Sequence, residues 1–120
     1  MQDFKKLEVW QLAHSLTLTI YRLTRAFPPG ERFGLRDQMR RAAVSIEANL
    51  AEGTGRGGDA DFARFVQMAF GSACELECHL LIARDLKLLN SESAGETIDG
   101  LERIKRMLSG LLRKLKADSR

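Results

Sequence analysis

The sequence predicts an all-α protein that folds as an antiparallel, up-down-up-down four-helix bundle. Four stretches carry apolar residues at the three- and four-residue spacing of a single helix face, and short connections join them. The only two prolines are adjacent, at Pro28 and Pro29, so the rest of the chain is free to be helical. At 120 residues the chain can bury about two-thirds of its unfolded surface, so we expect one domain over residues 1–120.

The first helix is expected over residues 5–27. Its apolar residues form a face broad enough to touch more than one neighbour. The run Pro28, Pro29 and Gly30 then breaks the helix, because proline has no N–H to donate and disfavours helical geometry in the residue before it.

The second helix is expected over residues 32–52. Ala42 and Ala43 lie on its apolar face, where small side chains allow another helix to approach closely. Gly53 follows, at the position where a helix C-terminus takes a residue able to adopt positive φ. Residues 54–58 hold three glycines and are expected to form a loop.

The third and fourth helices are expected over residues 59–89 and 93–117. The third has a heptad-like apolar seam, and Asp59 or Asp61 can cap its start. The fourth has leucines on one face and basic residues on the other. Its glycines lower helix propensity by about 1 kcal/mol each relative to Ala, so packing must stabilise it.

Charge is distributed unevenly, although the net charge is only +3. Residues 103–120 hold seven Lys or Arg against one Asp, a net +6, which leaves −3 for residues 1–102. This basic segment forms either a solvated surface or a site for RNA, DNA or an anionic membrane. Aromatic residues between the basic ones would favour stacking on single-stranded bases, but this segment has none. Its basic residues include Lys105, Arg106, Arg113, Lys114 and Lys116.

The two cysteines, Cys74 and Cys78, are four residues apart on one helix, which is poor geometry for a disulfide. We expect them to be reduced thiols in the core. The sequence shows neither a signal peptide nor an apolar stretch long enough to span a membrane. A cytoplasmic protein with no membrane partner is therefore expected.

Arginines on the second helix are the candidate nucleic-acid ligands. Arg32, Arg36 and Arg40 are spaced by four residues along one stripe, with Arg41 adjacent and Arg56 in the following loop. Such a stripe can track phosphates, each guanidinium binding an oxyanion bidentately. The alternative is that these arginines pair with glutamates and only orient the bundle.

Polar residues beside the apolar stripe of the second helix indicate a structural network. Ser45, Asn49 and Glu52 need hydrogen-bond partners if they are buried, either within the bundle or from a neighbouring subunit. Glu52 lies near the negative end of the helix dipole, so we expect a cation there, Arg56 or Arg41. The predicted network and assembly residues are Trp10, Ser45, Asn49, Glu52, Gly53, Glu75 and Glu77.

Catalytic and metal sites are weakly indicated. No nucleophile and base occur at supporting spacing, so we expect no enzymatic activity. Glu75, Cys78 and His79 lie within one turn, with His14 as a distant fourth ligand, but bundle metal centres usually draw paired motifs from several helices. We expect no metal and no other cofactor, and a metal-dependent bundle enzyme ranks third among the functions.

The motif RRAAVSIxANLAEGxGR, from Arg40 to Arg56, resembles a known family, the four-helix-bundle proteins encoded in intervening sequences of bacterial 23S rRNA genes. The likeness extends over nearly the whole chain, although the fourth helix shares only amphipathic character. The family commonly has proline where this chain has Glu47, so the second helix should be straighter here. Further matching residues include Phe4, Leu7, Val9, Trp10, Ala13, Tyr21, Phe27, Pro28, Glu31, Gly34, Leu35, Gln38, Ala69, Gly71, Ser72, Glu75, Leu76 and Glu77.

The resemblance implies a four-helix bundle that assembles into a homo-oligomer, since related bundles form barrel-like pentamers, and no established enzymatic activity. Similarity to the basic accessory protein of diversity-generating retroelements further implies a nucleic-acid partner and, by analogy alone, a reverse transcriptase. The leading hypothesis is a non-enzymatic, oligomeric bundle that binds RNA or DNA electrostatically. The main alternative is a protein-interaction scaffold whose arginines serve assembly.

Overall fold

The computed structural model describes residues 3–31 and 34–118 and confirms the all-α four-helix bundle. The helices are α1 (Glu8–Thr24), α2 (Leu35–Thr54), α3 (Asp59–Asp85) and α4 (Ser91–Asp118). Consecutive helices pack side by side, and α4 returns to α1 in the least extensive of the four helix contacts. The bundle measures 48 × 22 × 20 Å.

The first helix is shorter at both ends than the range 5–27. Asp3 accepts a hydrogen bond from the Lys5 N–H at 3.1 Å and starts a single 3-10 turn, Phe4–Lys6. Leu7 is extended, with φ −72° and ψ 123°, as Asp3 is with ψ 113°. The α-helix α1 therefore begins at Glu8. At the other end the residues before the prolines leave the α-helical hydrogen-bonding pattern. A proline ring disfavours helical geometry in the residue before it, because the two are in steric contact.

The second helix runs through residue 47 without a break, as expected from a glutamate in place of proline. It continues to Thr54, so Gly53 is not the residue of positive φ that ends it. Instead Gly53 is buried inside the last turn, where a Cβ would lie 2.8 Å from Phe62 Cδ1 and from Phe65 Cβ. The glycine is required by the close approach of α3, and the positive φ falls at Gly57, at 84°.

The third helix ends at Asp85, four residues before the expected boundary. Lys87 adopts φ 61°, the Leu88 N–H donates to the Ala83 carbonyl at 2.9 Å, and the Lys87 N–H donates to the Arg84 carbonyl at 3.0 Å. This pair of bonds is a Schellman motif. A lysine occupies the position that glycine usually fills, which is why the sequence did not indicate the stop.

The fourth helix begins two residues before the expected position 93, at Ser91. Asn90 caps it, because its Oδ1 accepts a hydrogen bond from the Ser93 N–H at 2.7 Å. None of the described helices combines the length and hydropathy needed to span a bilayer.

The core follows the apolar faces that the spacing predicted. Cys74 and Cys78 are the exception, because both are exposed on the outer side of α3. The seam of α3 is formed by the residues beside them, so neither thiol is a core residue. Fully buried large side chains in the core are Ile20, Met39, Ile46, Leu50, Val66, Leu76, Leu80, Leu101, Ile104 and Leu108.

Candidate nucleic-acid interface

Arg40, the central residue of the predicted arginine stripe, is bound to the end of α1. Its Nε donates to Thr24 Oγ1 at 2.9 Å and its Nη2 donates to the Tyr21 carbonyl at 3.2 Å. The guanidinium carbon lies 4.5 Å from the centre of the Tyr21 ring. Carbonyls in the last turn of a helix lack helical partners and attract cations. Arg40 therefore caps the C-terminus of α1, and two of its five N–H donors are used within the bundle.

The other arginines of the stripe differ from one another. Arg36 makes an ion pair with Asp37 at 3.3 Å. Arg41 is exposed and makes no hydrogen bond or ion pair with the residues that the structure describes. Arg32 lies outside the described residues. The stripe is thus not a uniform row of unpaired cations, and Arg41 is its available member.

Arg56 supplies the cation expected beside Glu52. Its Nη2 donates to Glu52 Oε2 at 2.6 Å, one turn away along the chain. Its guanidinium carbon lies 5.0 Å from the centre of the Phe65 ring, and that of Arg64 lies 4.7 Å from the same ring. Arg56 therefore joins the end of α2 to the start of α3.

The polar network on α2 is small and includes one residue that the sequence argument did not select. Ser45 Oγ and Ser72 Oγ share a hydrogen bond of 2.8 Å between α2 and α3. Asn49 Nδ2 donates to the Ser45 carbonyl at 2.8 Å and to Ser45 Oγ at 3.0 Å. Ser72 stands opposite Ser45 only because α2 and α3 are antiparallel, which residue spacing along one helix cannot show.

Trp10 belongs to a separate cluster. It stacks on His14 with 4.9 Å between ring centres, and Phe4 packs edge-on against it at 5.0 Å. His14 Nδ1 is 3.1 Å from a carboxylate oxygen of Glu47. This cluster fixes α1 against α2 at the position where the family pattern has proline.

The residues considered for a metal do not converge. His14 pairs with Glu47 rather than turning toward α3. His79 Nε2 is 3.7 Å from Glu75, and Cys78 is exposed. Over residues 3–31 and 34–118, no three His, Cys, Asp or Glu side chains are grouped to hold a metal ion.

The basic residues of α4 divide into paired and unpaired members. Arg103 Nη2 lies 3.1 Å from Glu8 and joins α4 to α1. Lys105 Nζ donates to Glu77 at 2.7 Å and to Glu102 at 3.3 Å, joining α4 to α3. These two cations stabilise the bundle.

The Glu77–Lys105 pair shifts both groups toward their charged forms. The hydrogen bond from Lys105 lowers the pKa of Glu77, and the same bond raises the pKa of Lys105. A lowered carboxyl pKa stabilises the fold above its ordinary value of 4.5, and the stabilisation disappears as pH falls through the lower folded-state pKa. The lysine contribution is present below 10.5 and is lost at still higher pH.

We expect Glu77→Gln to lower the free energy of unfolding by about 1 kcal/mol at neutral pH, since the side chains are only partly buried. The stability of the variant should also fall less than that of the wild type as pH decreases below 4.5, because the variant lacks the carboxylate whose pKa is lowered. Urea denaturation across the acid range measures both effects. Glu75→Gln, on the exposed side of the same helix, is the control and should change stability much less; equal losses in the two variants would contradict this assignment.

Three exposed cations on α4 have no partner within the described residues: Arg106, Arg113 and Lys114. We call them the basic face of α4. Arg106 and Arg113 are seven residues apart, which places them on the same side of the helix about 10.5 Å apart along its axis. The nearby carboxylates Glu77 and Glu102 contact Lys105 and make no ion pair with Arg106, Arg113 or Lys114 among the described residues.

An open groove between α3 and α4, with a volume of about 350 Å³, borders the basic face. Phe70, a partly buried residue of α3, lies in it, and Lys105 Nζ is 6.0 Å from the centre of its ring. The groove thus combines one aromatic ring with cations from the next helix. Its lining residues are Phe70, Glu102, Lys105, Arg106, Ser109 and Arg113.

Comparison with known proteins supports the fold. The sequence profile described as 23S rRNA-intervening sequence protein matches residues 5–110. A crystal structure from Bacteroides thetaiotaomicron, a protein of unknown function from the S23 ribosomal protein family, superposes with a TM-score of 0.78. The two chains are 20% identical over 87% of this chain and 97% of the other, a likeness that bears on the fold alone. No curated protein matches the chain.

Proposed function

The chain belongs to the 23S rRNA-intervening sequence protein family, and from that premise we propose that it is a non-enzymatic, homo-oligomeric bundle that binds nucleic acid electrostatically. The observation that carries the proposal is the basic face of α4, where Arg106, Arg113 and Lys114 are exposed and unpaired within the described residues. Cations of this kind bind phosphates and release counterions, which provides affinity with little base specificity.

Ion pairs and hydrogen bonds among the described residues favour this surface over the arginine stripe of α2. Arg36, Arg40 and Arg56 each have a partner within the chain. Only Arg41 remains as a second exposed contact on α2, and in an oligomer it would be repeated once per subunit. Repetition of a weak electrostatic contact raises its overall affinity through avidity.

Self-association is supported by large apolar side chains on the outer surface. Leu86, the residue directly after α3, is 61% exposed, and two apolar residues of α3 itself, Met68 and Ile82, are also exposed. On α1 and α2 the exposed apolar residues include Leu18 and Val44. Apolar surface of this kind is also what favours the second candidate function, a protein-interaction scaffold that binds no nucleic acid.

The test compares two double variants that remove the same charge from different places. Arg106→Gln with Arg113→Gln should weaken binding of a labelled oligonucleotide at low salt by about tenfold or more, because two phosphate contacts are lost. Arg25→Gln with Lys87→Gln removes two exposed cations away from α4 and should change affinity much less. Fluorescence anisotropy measures the binding, and light scattering measures the mass of the assembly.

Each outcome tests a different part of the proposal: the binding surface, the choice between the two candidate functions, and self-association. Equal loss in both double variants would mean that net charge, rather than the basic face, attracts the ligand. An oligomer that binds neither RNA nor DNA at low salt would leave the scaffold as the function. A protein that binds but remains monomeric would remove self-association from the proposal.

A further inference from the structure

We infer that the groove between α3 and α4 binds single-stranded nucleic acid, with an unpaired base against Phe70 and the neighbouring phosphates on Arg106 and Arg113. This inference rests on the proposed function and specifies the strandedness of the ligand. It starts from a juxtaposition that only the fold creates. The cations belong to α4, whose own sequence carries no aromatic residue, and the ring comes from α3.

The groove offers two kinds of surface at once. Phe70 contributes apolar ring area that is only partly covered by the core. Ser109 contributes a hydroxyl between the levels of Arg106 and Arg113 along α4. Proteins that bind single strands combine a basic groove for the backbone with an aromatic side chain on which a base stacks.

One carboxylate, Glu102, lines the groove, together with three cations, Lys105, Arg106 and Arg113, so the lining has net positive charge. Glu102 and Glu77 both contact Lys105, and neither makes an ion pair with the two arginines. Arg106 and Arg113 therefore remain to receive phosphates. Lys105 is the fixed member of the groove, since its hydrogen bond to Glu77 joins α4 to α3, the helix that carries Phe70.

A duplex would use this surface differently. In a double helix the faces of the bases are stacked on one another, so Phe70 has no base to contact and only the phosphates remain available. Both RNA and DNA single strands present free base faces. The groove is therefore expected to prefer single strands over duplexes, while the choice between RNA and DNA is an outcome of the test.

The experiment measures binding of labelled oligo(U), oligo(dT), an abasic phosphodiester strand and a duplex by fluorescence anisotropy. Phe70→Leu should weaken oligo(U) or oligo(dT) binding by about tenfold, the range found for loss of one stacked base. The same substitution should leave abasic-strand and duplex binding nearly unchanged. Phe70→Tyr keeps the ring and should retain most of the affinity, and circular dichroism verifies that both variants fold.

Failure of this inference is distinguishable from failure of the proposed function. If Arg106→Gln with Arg113→Gln abolishes binding but Phe70→Leu has no effect on any ligand, the groove holds phosphates without a base. If Phe70→Leu weakens all four ligands equally, Phe70 acts through the fold and the stacking role is excluded. If the wild type binds none of them at low salt, the proposed function itself is overturned.

Discussion

Gly53→Ala is expected to lower the free energy of unfolding by about 2 kcal/mol, although alanine is the better helix former. Propensity alone favours alanine by about 1 kcal/mol inside a helix. The added Cβ, however, would lie 2.8 Å from Phe62 Cδ1 and from Phe65 Cβ. Because Phe65 Cβ is fixed to the backbone of α3, the helices must separate, and overpacking of this kind costs up to about 3 kcal/mol.

The matching control for this substitution is Gly71→Ala on α3. A Cβ at Gly71 meets no atom within 4 Å, so only propensity acts and the variant should gain about 1 kcal/mol. Thermal unfolding should show a melting temperature lower by about 8 °C for Gly53→Ala and higher by about 4 °C for Gly71→Ala. A higher melting temperature in both variants would show that the approach of α2 and α3 does not require glycine.

Arg40→Met is expected to destabilise the protein by about 2 kcal/mol, through the end of α1. The substitution removes the donors to Thr24 Oγ1 and to the Tyr21 carbonyl, together with the contact on the Tyr21 ring. The partly buried bond to Thr24 should contribute about 1.5–3 kcal/mol, the exposed bond to the Tyr21 carbonyl adds less, and methionine recovers part of the packing. Hydrogen exchange should accelerate in the last turn of α1, and urea denaturation gives the free energy.

Two observations distinguish this capping role from a phosphate-binding role. Arg40→Lys keeps the charge but loses the planar fork, so it should lie between the wild type and Arg40→Met in stability. If Arg40 serves the fold, nucleic-acid affinity per folded molecule should hardly change in either variant. A large loss of affinity with unchanged stability would return Arg40 to the ligand surface.

The apolar spacing along each helix was enough to predict the bundle and most of its core. Ala42 and Ala43 are buried as predicted, and so are Met39, Ile46 and Leu50, which share the same face of α2 by their spacing. The spacing is informative because a single helix presents the same face to its neighbours along its whole length. Cys74 and Cys78 lie outside the apolar face of α3 and are exposed. Their small side chains led to the wrong prediction that they are core residues.

The features that the sequence missed depend on two helices at once. Gly53 fits a local rule for helix ends, yet the contact with Phe62 and Phe65 across the bundle determines its role. Arg40 looked like one member of a periodic stripe, although two of its donors bind a carbonyl and a hydroxyl of another helix. Residue spacing describes one helix, whereas these contacts depend on the offset between helices.

The candidate surface changed for the same reason. Spacing favoured the arginines near α2, but Arg36 and Arg56 pair with carboxylates of α2 and Arg40 binds α1. The basic face of α4 is left as the larger unpaired set of cations in the described part of the chain. Phe70 entered only through the packing of α3 against α4. A basic sequence segment is common, and its ion pairs decide which of its cations are available to a ligand.

The most direct measurement of the central claim is the salt dependence of oligonucleotide binding by the wild type and by Arg106→Gln with Arg113→Gln. If the basic face of α4 contacts phosphates, the logarithm of the wild-type binding constant should fall linearly with the logarithm of salt concentration. The double variant should show a slope smaller by about 1.4, since each single-strand phosphate contact contributes about 0.7. Identical slopes in the two proteins, or wild-type binding that does not respond to salt, would contradict the claim.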